Sequence, residues 1–184
     1  MKHLLFSILL LPLSGLAQET DENVPEIPME DGEIVYKEVV NLPTISVEEI
    51  KERASYFFKQ ADNAEVDKEQ GENSIKGSAS IDFIAGKKQL KVKMEFDLII
   101  EFKEGRYRVI CENIKYTPYP TDQIPHPQTI KAEKLYDEYK VNKNKKSAGY
   151  QLQYLQNTDK LIKEQIEAVK EIMSKSVPQE TDDW

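Results

Sequence analysis

The sequence predicts an α+β fold: a curved antiparallel sheet of about five strands, in the order β-α-β-β-β-β-α, with helices packed on one face. Three observations carry that reading. First, Leu90, Val92, Met94, Phe96, Leu98, Ile100 and Phe102 share one parity, and Lys91, Lys93, Glu95, Asp97, Ile99 and Glu101 share the other. That is the two-residue period of a strand with one buried face, and a one-residue slip would put all seven apolar side chains in water. Second, the charged parity must meet water, which antiparallel sheets tolerate and fully covered parallel sheets do not. Third, two amphipathic helical segments are the available cover for the apolar parity, and layer packing puts both on that side.

The elements follow in order. A basic start (Met1, Lys2, His3), an apolar run over 4–13 and small residues at Gly15 and Ala17 read as a secretory signal peptide over 1–17, with Gln18 as the first mature residue. No cysteine follows the run to carry a lipid, and no later stretch approaches the ~20 apolar residues of a membrane helix. Residues 18–32 are acidic and proline-punctuated and read as a flexible leader. The domain is expected over 33–175, with a sheet core over 33–120 and a helical part over 128–175, and a disordered tail over 176–184.

Within the domain, 34–40 is rich in β-branched residues and reads as the first strand. Ser46-Val47-Glu48-Glu49 is a capping box flanked by Ile45 and Ile50 as a hydrophobic staple. Val47, Ile50, Ala54, Phe57, Phe58 and Ala61 then fall on one helical stripe. A short edge strand is expected over 64–70 and a half-buried strand over 73–83, before the long strand over 90–102. Lys103-Glu104-Gly105 turns the chain into a strand over 106–116. There Tyr107, Val109 and Cys111 disagree in parity with Ile114 and Tyr116, which predicts a β-bulge near Glu112-Asn113. Four prolines between 117 and 128 make a loop. A short helix over 128–139 and a long one from about 148 follow, the latter carrying Leu152, Leu155, Ile162, Ile166, Val169 and Met173 on one face. Pro178 ends it.

The chemistry is sparse. The formal charge is −8, and an acidic chain repels phosphate backbones, so nucleic acid is not an expected partner. His126 is the one histidine beyond the signal segment and has no second ligand near it in sequence, so no metal is expected. Cys111 has no disulfide partner and its parity favours a buried thiol. No glycine-rich phosphate loop and no nucleophile elbow occurs, and no cofactor is expected. Glu95, Asp97 and Asp82 could converge on the open face as a cation or sugar site, but cross-strand salt bridges with Lys76, Lys91 and Lys93 are the expected state. Arg106 and Arg108 share a parity and could grip a carboxylate or phosphate, against ordinary pairing with Glu101 or Glu104. They are the candidate ligand contacts. Tyr116 and Tyr119, with Ile124, form either a recognition patch or a lid over the sheet's end.

Ile-Pro-Met-Glu-Asp-Gly-Glu-Ile-Val-Tyr-Lys-Glu-Val-Val over 27–40, the capped helix, Ile-Lys-Gly-Ser-Ala-Ser-Ile over 75–81 and Phe-Lys-Glu-Gly-Arg-Tyr-Arg over 102–108 together resemble a family of exported Bacteroidetes proteins. That family is a domain of unknown function with a TATA-binding-protein-like fold. The resemblance spans about 27–120. It implies a TBP-like fold, export and a bacterial envelope setting, and it brings no catalytic residues. The expected function is a non-enzymatic periplasmic or secreted binding module for an envelope protein, a glycan or an amphiphile. The alternatives are a self-assembling envelope protein and a hydrolase working with carboxylates alone.

Overall fold

The computed structural model describes residues 24–67, 71–86, 88–143, 145 and 148–178. The expected signal peptide lies outside the described residues. In chain order the elements are β1 (Met29–Glu30), β2 (Glu33–Ile34), β3 (Tyr36–Asn41), α1 (Val47–Gln60), β4 (Ala64–Val66), β5 (Ser74–Ala85), β6 (Leu90–Lys103), β7 (Arg106–Pro118), β8 (Ile130–Lys131), α2 (Ala132–Asn142) and α3 (Ala148–Met173). β4 to β7 form an antiparallel meander, and β3 returns to pair with β7, so the sheet runs β3-β7-β6-β5-β4. β8 pairs further along β7, at Lys115 and Tyr116. The expected α+β architecture with its antiparallel sheet is therefore present.

The alternation on β6 is the spine of the molecule. Val92, Met94, Phe96, Leu98, Ile100 and Phe102 are essentially buried, and they form one core with Ile50, Phe57 and Phe58 of α1 and Leu155, Ile162 and Val169 of α3. The bulge falls where parity breaks: Glu95 pairs with Lys115 while Asp97 pairs with Glu112, which leaves one extra residue on β7. Asn113 absorbs it at φ 55°, a left-handed conformation that asparagine tolerates better than most residues. The bulge returns Ile114 and Tyr116 to the buried side.

Gly77 is required by close approach. A Cβ there would stand 2.5 Å from the Glu65 carbonyl oxygen and 2.7 Å from a Phe58 ring carbon. The absent side chain lets β4 and α1 close on the same point of β5. Gly105 closes the β6–β7 hairpin at φ 68°, where glycine pays no steric penalty.

Ser46 caps α1, accepting from Glu49 N–H at 3.3 Å. The Glu49 carboxylate accepts from Arg53 Nη2 at 2.6 Å, and the Glu104 carboxylate from the turn below accepts from Val47 N–H at 3.2 Å.

The structure adds polar residues to faces that periodicity assigns to apolar ones. Arg53 is buried on the core face of α1, and its Nη1 donates to the Met173 carbonyl at 2.8 Å. A cation on the last turn of α3 also suits the negative end of that helix. On α3, Gln151, Thr158 and Gln165 are buried beside Leu155 and Ile162. Tyr116 Oη lies 2.5 Å from Thr158 Oγ1, which donates to the Tyr154 carbonyl at 2.9 Å. Gln165 Oε1 accepts from Asn63 Nδ2 at 3.0 Å. Phe83, Tyr116 and Tyr154 stack edge to face around the Tyr116–Thr158 contact, so the space beneath the first half of α3 is filled by side chains. Cys111 is buried there too, and burial pushes its thiol up to about 12.

Three expectations change. Packing begins before residue 33, inside the stretch expected to be a flexible leader over 18–32: Ile27 is buried and Met29–Glu30 pairs with Glu33–Ile34. Apolar residues at Val24 and Ile27 give this otherwise acidic stretch something to bury. The first strand, expected over 34–40, is split at Val35 into β2 and β3 because Val35 N–H turns to the Pro28 carbonyl. The chain after the proline loop makes a short strand, β8, before α2 begins.

Candidate functional site

The face of the sheet away from the helices carries the charged residues of β5, β6 and β7. Its two ends differ. From the middle of this face to the end bordered by the proline loop, Asp97, Glu95 and Asp82 are all engaged. Lys76 Nζ bridges Asp97 at 2.8 Å, Lys91 Nζ bridges Asp82 at 2.9 Å and Lys93 Nζ reaches Glu95 at 3.5 Å. Two of these are the expected cross-strand pairs, joining β5 to β6, whereas Lys93 and Glu95 lie two residues apart on β6 itself. Tyr119 seals this end. Its hydroxyl donates to both Asp82 carboxylate oxygens at 3.0 and 3.1 Å, and Lys91 lies 4.6 Å from its ring centre. The Lys91 bond, and then the Tyr119 bond, holds the Asp82 carboxyl below its usual range.

The end at the β6–β7 hairpin contains a shallow cleft of about 230 Å³ lined by Val39, Glu101, Phe102, Lys103, Arg106, Tyr107 and Arg108. Both arginines named from sequence line it, and they differ. The Arg108 Nε donates to Glu101 at 3.1 Å, with its Nη2 on the same oxygen; this is the cross-hairpin pair expected from sequence. Glu104, the other acid expected to compete, turns instead to the start of α1. Arg106 stands directly opposite Lys103 across the hairpin and opposite Asn41 on β3. Among the described residues it has no ion pair. Val39, opposite Arg108, is 54% exposed and forms the apolar wall.

The remaining sequence candidates are placed apart from this cleft. His126 is exposed in the proline loop. Tyr116 is wholly buried, so it belongs to the core, whereas Tyr119 and Ile124 are partly exposed. No group of three or more His, Cys, Asp or Glu suited to a metal ion occurs among the described residues. No helix among them is long and apolar enough to cross a membrane.

Sequence reasoning missed Val39 as a wall residue, because pairing of the first strand with the last was not readable from local pattern. It also treated the negative charge as uniform. Glu19, Asp21, Glu22, Glu26, Glu30, Asp31 and Glu33 fall within 18–34, and Glu180, Asp182 and Asp183 within 176–184, with no lysine or arginine in either stretch. The intervening residues 35–175 are close to neutral, so a locally basic cleft is compatible with the acidic total.

Two solved structures share this architecture. A TBP-like protein from Parabacteroides distasonis is 16% identical, with a TM-score of 0.66 over 82% of this chain and 99% of its own. A DUF4468 family protein from Bacteroides ovatus is 15% identical, with a TM-score of 0.64 over 88% of this chain and 97% of its own. No curated protein matches the chain. At such identities the likeness shows the fold. The matched family is described as a domain of unknown function (DUF4468) with TBP-like fold, and its match runs from the start of β3 nearly to the end of β7, enclosing α1, the meander and both arginines. Residues 36–117 of the chain match the model of that domain family of unknown function, DUF4468, with TBP-like fold.

Proposed function

We propose that this protein is an exported, non-enzymatic binding module that holds an anionic group, a carboxylate or a phosphate, in the cleft beside Val39. The carrying observation is Arg106, a guanidinium without an ion pair among the described residues, on the rim of a cleft whose other arginine is oriented by Glu101. An oriented arginine beside a free one suits bidentate recognition of a planar or tetrahedral anion. At about 230 Å³ the cleft is smaller than the ~300–1,000 Å³ of sites that engulf a small molecule. It suits one end or one side group of a larger ligand. The binding reading is further supported by the engagement of Asp82, Glu95, Asp97 and Glu101 with basic partners, which leaves none of these four as an uncommitted acid or base. The export reading rests on the apolar run over 4–13 and the small residues after it.

Calorimetric titration with sodium phosphate and with glutarate tests the cleft. Saturable binding is expected in the parent protein, weakened several-fold in Arg106→Ala with its melting temperature unchanged. Absence of binding to both anions, or equal binding by Arg106→Ala, overturns the reading. Mass spectrometry of the protein expressed in a Bacteroidetes host tests export, with Gln18 expected as the first residue. Uncleaved protein retained in the cytoplasm would overturn that part.

A further inference from the structure

The outer edge of β3 meets the cleft. Leu42 N–H donates to the Gly105 carbonyl at 2.7 Å, and Leu42 follows the β3–β7 ladder in register. Hydrogen-bonded pairs in an antiparallel ladder recur every second residue, so Val40, Glu38 and Tyr36 direct their backbone groups at β7. Lys37, Val39 and Asn41 therefore direct theirs outward. Among the described residues no strand pairs with that edge. The N-terminal hairpin occupies only its far end, where Val35 N–H reaches Pro28 at 3.2 Å. The three outward-facing residues are also the ones whose side chains are exposed on β3. Val39 stands opposite Arg108 and Asn41 opposite Arg106. A free row of backbone donors and acceptors thus borders a basic cleft.

We infer that β3 accepts an extended acidic peptide as an added strand, with a carboxylate side chain of that peptide placed in the cleft. The inference rests on the anion-binding reading and adds the partner's class. Strand addition supplies affinity through main-chain hydrogen bonds, and alternate side chains supply selectivity. Every second side chain of the added strand lies over the open face beside Val39, within reach of the long arginines of β7. The charge on that side selects an acid: Lys103, Arg106 and Arg108 face it, and the one carboxylate among them, Glu101, is already taken by Arg108. A second copy fits worse, because β3 pairing with its own image would bring two basic clefts together, and like charges across such a contact are unfavourable.

The probe is a fluorescein-labelled peptide, acetyl-Thr-Val-Glu-Val-Glu-Val-Thr-amide, with versions carrying glutamine for glutamate or N-methyl groups on one parity or the other. Anisotropy is read against the parent mature chain, Val39→Pro and Arg106→Ala, with glutarate titrated in parallel. Proline at 39 removes an N–H that pairs with nothing in the free protein, a position edge strands tolerate. Val39→Pro is expected to weaken peptide binding by on the order of tenfold, the loss of one or two backbone hydrogen bonds; because Val39 also walls the cleft, the N-methylated peptides on the unchanged protein separate loss of the ladder from loss of the cleft. Arg106→Ala and the glutamine peptide are expected to lower affinity as well. N-methylation on one parity is expected to abolish binding, and on the other to spare it. If glutarate binds but Val39→Pro and both N-methylated peptides behave as the parents do, strand addition is overturned and the anion cleft stands. If neither glutarate nor peptide binds, both fall. Concentration-dependent dimerisation that Val39→Pro removes, without peptide binding, would assign the edge to a second copy and overturn the peptide. Should Val39→Pro fail to fold, the two N-methylated peptides decide the question alone.

Discussion

On β6, side chains turned under the helices alternate one by one with side chains turned to water, and the two sets hold the molecule differently. Leu98 is wholly buried, between Gly77 on β5 and Cys111 on β7. Its neighbour Asp97 is on the open face, bridged to Lys76. Burying a leucine removes apolar surface from water at about 25 cal/mol per Å², whereas an exposed ion pair contributes about 0–1 kcal/mol. Stability should therefore reside on the covered face. The open face can then be spent on recognition, because substitutions there disturb the fold little.

The largest expected effect tests that division directly. Leu98→Ala should destabilise the protein by about 2–5 kcal/mol, the usual range for a cavity left by a core leucine. Asp97→Ala, one residue away, should cost about 1 kcal/mol or less. Urea unfolding of the two variants reads both. Equal losses would mean that the open face carries structural weight, and the division would fail.

A second test sharpens it on β5. Gly77→Ala places a Cβ against the Glu65 carbonyl and the Phe58 ring, so either β4 or α1 must shift, at about 1–3 kcal/mol. Ser78→Ala, opposite Asp97 on the open face, should stay within about 0.5 kcal/mol. A thermal melt that separates the two variants by several degrees is expected; coincident melts would show that the helix layer yields at no cost.

How much of this was legible follows from the range of each interaction. Alternation on 90–102, the Ser46 cap, the bulge at Asn113 and the Arg108–Glu101 pair are set by residues close in sequence or joined by one hairpin turn, and sequence finds them. The pairing of β3 with β7 was not visible, and with it went Val39 as a cleft wall, because first-with-last pairing leaves no local mark. Arg53 was missed for the same reason: its partner, the Met173 carbonyl, lies 120 residues away. Gln151, Thr158 and Gln165 recur every seventh residue on α3, but a search for apolar periodicity passes over them although they share the buried face. Net charge misled differently, since a sum over the chain hides acids gathered at its two ends.

The smallest expected effect lies at the sealed end of the open face, and pH isolates it. Asp82 accepts from Lys91 and from Tyr119, and both bonds hold its carboxyl below the ordinary 3.8. A carboxyl lowered in the folded state binds its proton more readily when unfolded, so its contribution is complete above pH 3.8 and is lost as pH falls through the folded value. Asp82 and Lys91 are both well exposed, so solvent screening keeps the contribution small. Asp82→Asn should therefore melt slightly below the parent at pH 6, and the two should converge toward pH 2. Added salt at pH 6 should narrow the gap as well, since exposed charges are screened over ~3 Å at 1 M. A gap that widened on acidification would mean that Asp82 is held protonated, and the sealed end would then be a network of neutral hydrogen bonds, unlike the ionic pairs beside it.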